Sequence, residues 1–171
     1  PDEDPYVDAS VVSRTISGTS GGGFESLTVN PAAATTSVTD TIDTTTLSIS
    51  GSASVTEGAS GSYTVSLTSP AQTAVTVNLT YSGVAADGSD FTGIASVTIP
   101  AGSSSANFSL ATLQDVLAEG AESFTVTVAS AAGGNFESLV ISATNGAQTT
   151  SITDDDTPLL SVSSPSVTEG G

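Results

Sequence analysis

The sequence predicts an all-β chain, organised as an antiparallel β-sandwich of about seven strands in tandem repeat. Three observations predict it. Apolar residues alternate with Ser and Thr at a period of two, in short runs. Gly, Pro and Asn punctuate those runs. Blocks of sequence recur at one long spacing, which sets a unit large enough for a sandwich.

The strands follow in order. Leu47 and Ile49 alternate with Ser and mark strand A. Tyr63, Val65 and Leu67 mark B, and Val75, Val77, Leu79 and Tyr81 mark C. Val97 and Ile99 mark D, Phe108 and Leu110 mark E, and Phe124, Val126 and Val128 mark F. Strand G covers about 147–153. Leu139 and Ile141 belong either to a long F–G connection or to an extra strand. Ser69-Pro70, Gly83, Pro100-Ala101-Gly102, Gly120 and Asn145-Gly146 separate the runs, and no helical period is present.

Gly22-Gly23-Phe24-Glu25-Ser26-Leu27 recurs as Gly134-Asn135-Phe136-Glu137-Ser138-Leu139, the phenylalanines lying 112 residues apart. Thr35-Thr36-Ser37-Val38-Thr39-Asp40 recurs 114 residues on as Thr149-Thr150-Ser151-Ile152-Thr153-Asp154. Val55-Thr56-Glu57-Gly58 recurs 112 residues on as Val167-Thr168-Glu169-Gly170. Residues 44–156 therefore read as one complete unit. Residues 1–43 read as the back end of a preceding copy, its F and G strands, and residues 157–171 as the start of a following one with an A-like strand. Pro1 is not a natural start, so the chain reads as a piece of something longer.

Composition narrows the chemistry. The 171 residues include 18 Asp or Glu, a single basic residue (Arg14) and no His, for a formal charge of −17. One Arg cannot form the basic footprint that nucleic acid requires. Without His or Cys there is no zinc site of the usual kind, no Ser-His-Asp triad and no thiol nucleophile. No apolar run is long enough to insert in a membrane. Ser and Thr supply 57 residues, one third of the chain, so a surface rich in hydroxyls is expected. What remains is hard oxygen chemistry: carboxylates, carbonyls and cations such as Ca²⁺.

Simple up-and-down connectivity places most of the acids together. If strand A ends at one pole of the sandwich, the C–D loop, the E–F loop and the end of G lie there too. Glu57 follows A, Asp87 and Asp90 lie between C and D, Asp115, Glu119 and Glu122 between E and F, and Asp154, Asp155 and Asp156 after G. Asp43 and Glu137 fall outside this set. Like charges at about 4–6 Å raise one another's pKa and oppose folding. With one basic residue in the chain, the counter-charge must come from outside, and Ca²⁺ with its six to eight oxygen ligands suits better than Mg²⁺. Taken singly, Asp87 or Glu137 reads as a solvated loop charge.

At these residues the sequence resembles the Calx-β family. The resemblance spans about 46–156 and rests on five blocks in order: Val55-Thr56-Glu57-Gly58, Ala85 to Phe91, Ile99-Pro100-Ala101-Gly102, Asp115 to Phe124, and Ser151 to Asp156. It implies an immunoglobulin-like sandwich with Ca²⁺ bound at the pole carrying the closing Asp run. The implied metal ligands are Glu57, Asp90, Asp115, Glu119, Glu122, Asp154, Asp155 and Asp156. Gln114 stands where a second acid often precedes Asp115 in that family, which implies fewer ions. The first copy ends Asp40-Thr41-Ile42-Asp43, with Asp4 and Asp8 in the place of its E–F acids, so fewer ions or none are expected at that junction. Composition and repeat style also resemble the extender region of giant bacterial surface adhesins of the RTX type, although the glycine-rich nonapeptide is absent.

The expected function is that of a non-enzymatic, calcium-binding spacer repeat of an extracellular adhesin on the bacterial cell surface. Its expected partners are neighbouring repeats of the same polypeptide. The competing readings are a ligand-, sugar- or ice-binding adhesin module, or a subunit of a head-to-tail, self-associating surface filament. The short Thr runs form no regular ladder for ice, and the few aromatics fall mostly at inward positions. Paired carboxylates for glycoside chemistry are the weakest reading, because a sandwich end without His or an aromatic platform is poor catalytic ground.

Overall fold

The structure is a computed structural model that describes residues 3–8, 11–158, 160–164 and 168–169. Twelve strands form among them: β1 (Val11–Arg14), β2 (Ala34–Ser37), β3 (Thr44–Gly51), β4 (Ser54–Thr56), β5 (Ser60–Leu67), β6 (Val75–Gly83), β7 (Phe91–Thr92), β8 (Ser96–Ile99), β9 (Ser105–Thr112), β10 (Glu122–Gly133), β11 (Ser138–Ile141) and β12 (Ala147–Thr153). Ten of them make two five-stranded sheets, ordered β4-β12-β10-β6-β8 and β11-β3-β5-β9-β7. Among the described residues of 1–43, the strands are the antiparallel pair β1–β2, whose Val11 and Val12 are exposed. The alternation in this segment marks Val12, Ile16, Leu27, Val29 and Val38 as F- and G-like strand positions, but of these only Val12 lies in a strand. The described part of 157–171 holds no strand, and Val167 and Gly170 of its repeat block lie outside the described residues.

All seven strands expected over residues 44–156 are present, and the period-two pattern explains why. Leu47 and Ile49 from β3, Tyr63 and Val65 from β5, Val75 and Val77 from β6, and Phe124 and Val126 from β10 turn inward and are at most 3% exposed. Their Ser and Thr neighbours face solvent or the sheet margins. Two sheets, each apolar on one face, bury those faces against each other. A hydrogen-bonded chain also crosses the core. The Tyr63 hydroxyl bonds to Thr150 Oγ1 at 2.7 Å, and Thr150 Oγ1 donates to the Ser52 carbonyl at 2.7 Å. The bond satisfies a buried phenol and joins β5 of one sheet to β12 of the other.

Two features go beyond the antiparallel expectation. Strand A is split. After β3 the chain changes sheets, and β4 pairs parallel with β12. Gly51 sits at the switch, where a Cβ would meet the Tyr63 ring at 2.2 Å. Leu139 and Ile141 belong to the extra strand β11, which pairs parallel with β3. In both cases an edge strand covers backbone groups that would otherwise be left open.

Candidate metal centre

The β3-to-β4 switch positions the site. It carries Val55-Thr56-Glu57-Gly58 to the edge of the first sheet, beside the end of β12. The ladder continues one step, with the Glu57 N–H donating to the Thr153 carbonyl at 3.0 Å. Gly58 then reverses the chain at φ 72°, where a Cβ would also meet Gln114 Oε1 at 2.5 Å. Gly fits this position because only a residue without Cβ takes that φ freely. Glu57 is thereby held against the Asp run.

The E–F connection closes over it. Glu57 Oε1 accepts the Asp115 N–H at 2.7 Å, and Asp154 Oδ2 accepts the Glu119 N–H at 2.6 Å. Gln114 Nε2 donates to Asp155 Oδ1 at 3.1 Å. Asp154 Oδ1 accepts the Asp156 N–H at 2.9 Å. From the C–D loop, Asp90 Oδ2 accepts the Ala86 N–H at 2.6 Å, and the Asp90 carbonyl accepts the Leu113 N–H at 2.9 Å.

All eight candidate residues thus stand at one pole, in two overlapping groups. Glu57, Asp90, Asp115, Glu119, Glu122 and Asp154 line a cavity of about 20 Å³, room for a single water-sized occupant. Glu57, Asp154, Asp155 and Asp156 each bring a carboxylate oxygen within 4.8 Å of the others. Glu57 and Asp154 belong to both. Asp156 Oδ2 is shielded from solvent and has no hydrogen-bond partner. Asp87 does not line the cavity; it accepts the Gly93 N–H at 2.7 Å within its own loop.

The electrostatics are those of crowded carboxylates. Burial raises Asp156 above its ordinary value, and Asp154, Asp155 and Asp115 add to it. Burial raises Glu119 as well, with Asp115, Glu122, Asp90 and Asp154 contributing. The Asp115 N–H pulls Glu57 down, but burial and the charges on Asp115, Asp156 and Asp154 outweigh it and leave Glu57 raised. Each of these groups holds its proton to higher pH when folded than when unfolded. Stability of the metal-free protein therefore falls as pH rises through the window just above the ordinary values of 3.8 for Asp156 and 4.5 for the two glutamates. Below that window the penalty is absent. In metal-free buffer the contribution of this pole is expected to raise the Tm on acidification from about pH 7 to about pH 4.5. Melts of the wild type against Glu57→Gln isolate it: the slope should be smaller in the variant, and an equal slope would refute the crowding.

The opposite pole holds a smaller acidic group. Glu137 Oε2 accepts the Asp43 N–H at 2.8 Å. That bond lowers the Glu137 pKa, but a side-chain bond to Asp40, burial and the charges of Asp40 and Asp43 raise it overall. The sequence set Asp43 and Glu137 apart from the main cluster but contained no signal that they meet each other. Asp43 and Glu137 immediately precede β3 and β11, and the parallel register Ser138↔Thr44 of those strands brings the two acids side by side.

The family profile described as LapA domain matches the chain over residues 1–41 and 43–157. No curated protein sequence matches it. Among solved structures, the apo-form Calx CBD1 domain superposes with a TM-score of 0.56 at 22% identity, covering 66% of this chain and 98% of that one. CBD12 from CALX1.2 gives 0.56 at 22% identity, over 65% of this chain and 44% of that one. The calcium binding domain CBD12 of CALX1.1 gives 0.52 at 25% identity, over 62% and 42%. At these identities the likeness is one of fold: a Calx-β-like, immunoglobulin-like sandwich.

Proposed function

The chain belongs to the LapA domain family, a family of bacterial adhesins, and from that premise we propose that it is a calcium-binding spacer repeat of a cell-surface adhesin. Among the described residues no helix is long and apolar enough to cross a membrane. The observation that carries the proposal is the pole where Glu57, Asp154, Asp155 and Asp156 bring four carboxylate oxygens within 4.8 Å, with Asp156 Oδ2 unpartnered.

The donor set fits Ca²⁺. Ligands of one Ca²⁺ sit at about 2.3–2.6 Å from it, so opposite ligands are about 5 Å apart; for Mg²⁺ the span is only about 4 Å. Carboxylate oxygens that all lie within 4.8 Å of one another can be gathered in a Ca²⁺ shell, whose ligand number and geometry are the more flexible. Every donor is an oxygen, and the chain's one basic residue, Arg14, lies in β1 of the preceding segment. Glu57, Asp154, Asp155 and Asp156 would hold one ion; Asp90, Asp115, Glu119 and Glu122 extend the site through the cavity they share with Glu57 and Asp154. A bound Ca²⁺ supplies the positive charge that the pole lacks.

The mechanical consequence follows from where these residues are attached. Glu57 follows the sheet switch, Asp115 and Glu119 belong to the E–F connection, and Asp154–Asp156 lead into Thr157-Pro158 and the next copy. An ion shared among them would fasten the exit of one repeat to its own body and stiffen a string of domains. Affinity of about 10⁻⁴–10⁻³ M suffices outside the cell. Protons compete for the same carboxylates, so with Ca²⁺ present the pH response should reverse and acid should destabilise. A sugar-binding role draws little support, since Tyr63, Phe91 and Phe124 are at most 1% exposed and the strongly exposed Phe24, at 68%, has no second exposed ring beside it in β1–β2.

Calorimetric titration of chelator-treated protein tests the reading. Ca²⁺ should bind in the range of about 10⁻⁴–10⁻³ M, Mg²⁺ should compete weakly, and Asp154→Asn should weaken binding severalfold or more, because Asp154 serves both groups. Heat-silent, unsaturable mixing with Ca²⁺ up to about 10 mM would leave a plain spacer whose acids are solvated charges.

A further inference from the structure

The E–F connection of the complete unit carries two strongly exposed apolar side chains, Val116 at 89% and Leu117 at 62%. The preceding copy shows what such a loop can do. Asp4 and Asp8 have the same four-residue spacing as Asp115 and Glu119, which places Tyr6 in the position of Leu117. The backbone supports this register. Asp4 Oδ1 accepts the Tyr6 N–H at 2.9 Å, and Asp115 Oδ1 accepts the Leu117 N–H at 2.7 Å. The same side-chain-capped turn is made in both copies.

Tyr6 is seated on the far pole of the complete unit. Its ring stacks on Phe136 with centroids 5.6 Å apart and planes at 23°. Its hydroxyl donates to the Pro70 carbonyl at 2.5 Å. Its flanks pair with the F–G connection: the Val7 N–H donates to the Asn135 carbonyl at 3.1 Å, and the Glu137 N–H to the Pro5 carbonyl at 3.0 Å. The loop therefore adds a short antiparallel bridge and an aromatic plug to the next unit.

We propose that Val116 and Leu117 form the equivalent docking surface for a following copy of this repeat, seated on that copy's counterparts of Pro70, Asn135 and Phe136. The occupant is specified by the contact already present one repeat earlier, and the surfaces are matched in chemistry: exposed apolar side chains and free backbone groups on one side, an aromatic pole on the other. Leu117 has no hydroxyl to reproduce the Tyr6 bond to Pro70, so this seat relies on apolar burial and the backbone bridge. The inference rests on the repeat reading and is independent of calcium. Each junction then has a direct protein contact as well as its acidic pole.

The test extends the 171-residue chain by residues 60–171, which completes the following copy in register. The chain has no Cys, so introduced thiols are unambiguous. Leu117→Cys is expected to react with a maleimide about tenfold more slowly in the extended chain than in the 171-residue chain, the ratio for a contact closed about nine-tenths of the time. Ala118→Cys with Asn135→Cys in the second copy should close a disulfide, as Val7→Cys with Asn135→Cys should in the 171-residue chain, because the two pairs are equivalent. Both are run in EDTA. Equal labelling rates, or closure of the Val7 pair without the Ala118 pair, would overturn the proposal, and failure of both pairs would remove the seat on which it stands. Calcium titration is read separately, so loss of Ca²⁺ binding leaves these outcomes untouched.

Discussion

Addition of about 10 mM Ca²⁺ to chelator-treated protein is expected to raise its Tm on the order of 10 °C, and Mg²⁺ to raise it far less. With a dissociation constant of about 10⁻⁴ M, a ligand in about hundredfold excess stabilises the folded state by about 2.7 kcal/mol through mass action alone. The metal-free pole adds to the contrast, because Glu57, Glu119 and Asp156 carry raised pKa values in the absence of a counter-charge. Glu57→Gln should abolish most of the shift. Glu57 belongs to both carboxylate groups, and its Oε1 anchors the Asp115 N–H at 2.7 Å. Differential scanning calorimetry of both proteins, with and without Ca²⁺, reads the result. A Ca²⁺ shift that survives intact in Glu57→Gln would move the site elsewhere.

The second large effect lies just beneath that pole. Phe91 of β7 and Phe124 of β10 stack at 4.1 Å between centroids with planes at 15°, and neither is more than 1% exposed. They belong to different sheets, so the pair joins the two layers of the sandwich at the end where Asp90 and Glu122 emerge. Phe124→Ala is expected to cost about 3–5 kcal/mol, from lost transfer energy and the cavity left behind. Against a total of about 5–15 kcal/mol for a typical domain, that brings the unit near its unfolding midpoint. Phe124→Leu keeps most of the volume and should cost much less. Urea unfolding measures both. Ca²⁺ should restore part of the loss in Phe124→Ala. A loss below about 1 kcal/mol would mean that the ring stack contributes little to holding the sheets together.

Much of this molecule is legible in its sequence. Inward positions such as Leu47, Tyr63, Val77 and Val126 follow from a period-two alternation that needs only neighbouring residues. The convergence of Glu57, Asp115 and the Asp run followed from counting crossings of a sandwich, because each strand must start where the last one ended. Gly58 was visible within its motif, and its φ of 72° supplies the reason.

Other features depend on which backbone meets which. Asp115 and Glu57 are 58 residues apart and Glu119 and Asp154 are 35 apart, and their pairing is set by the sheet that β4 joins. Nothing local in Ser54–Thr56 says that it leaves the sheet of β3 for that of β12. The parallel edge strand β11, the meeting of Asp43 with Glu137 and the seating of Tyr6 on Phe136 are of the same kind. By itself the sequence determined the seven main strands of residues 44–156, their buried faces and the pole where the acids gather, since alternation and connectivity are properties of the chain. The tertiary structure alone decided which carboxylates lie together and where Tyr6 packs, because hydrogen bonding at a sheet edge is open to any partner of the right shape, and packing selects among them.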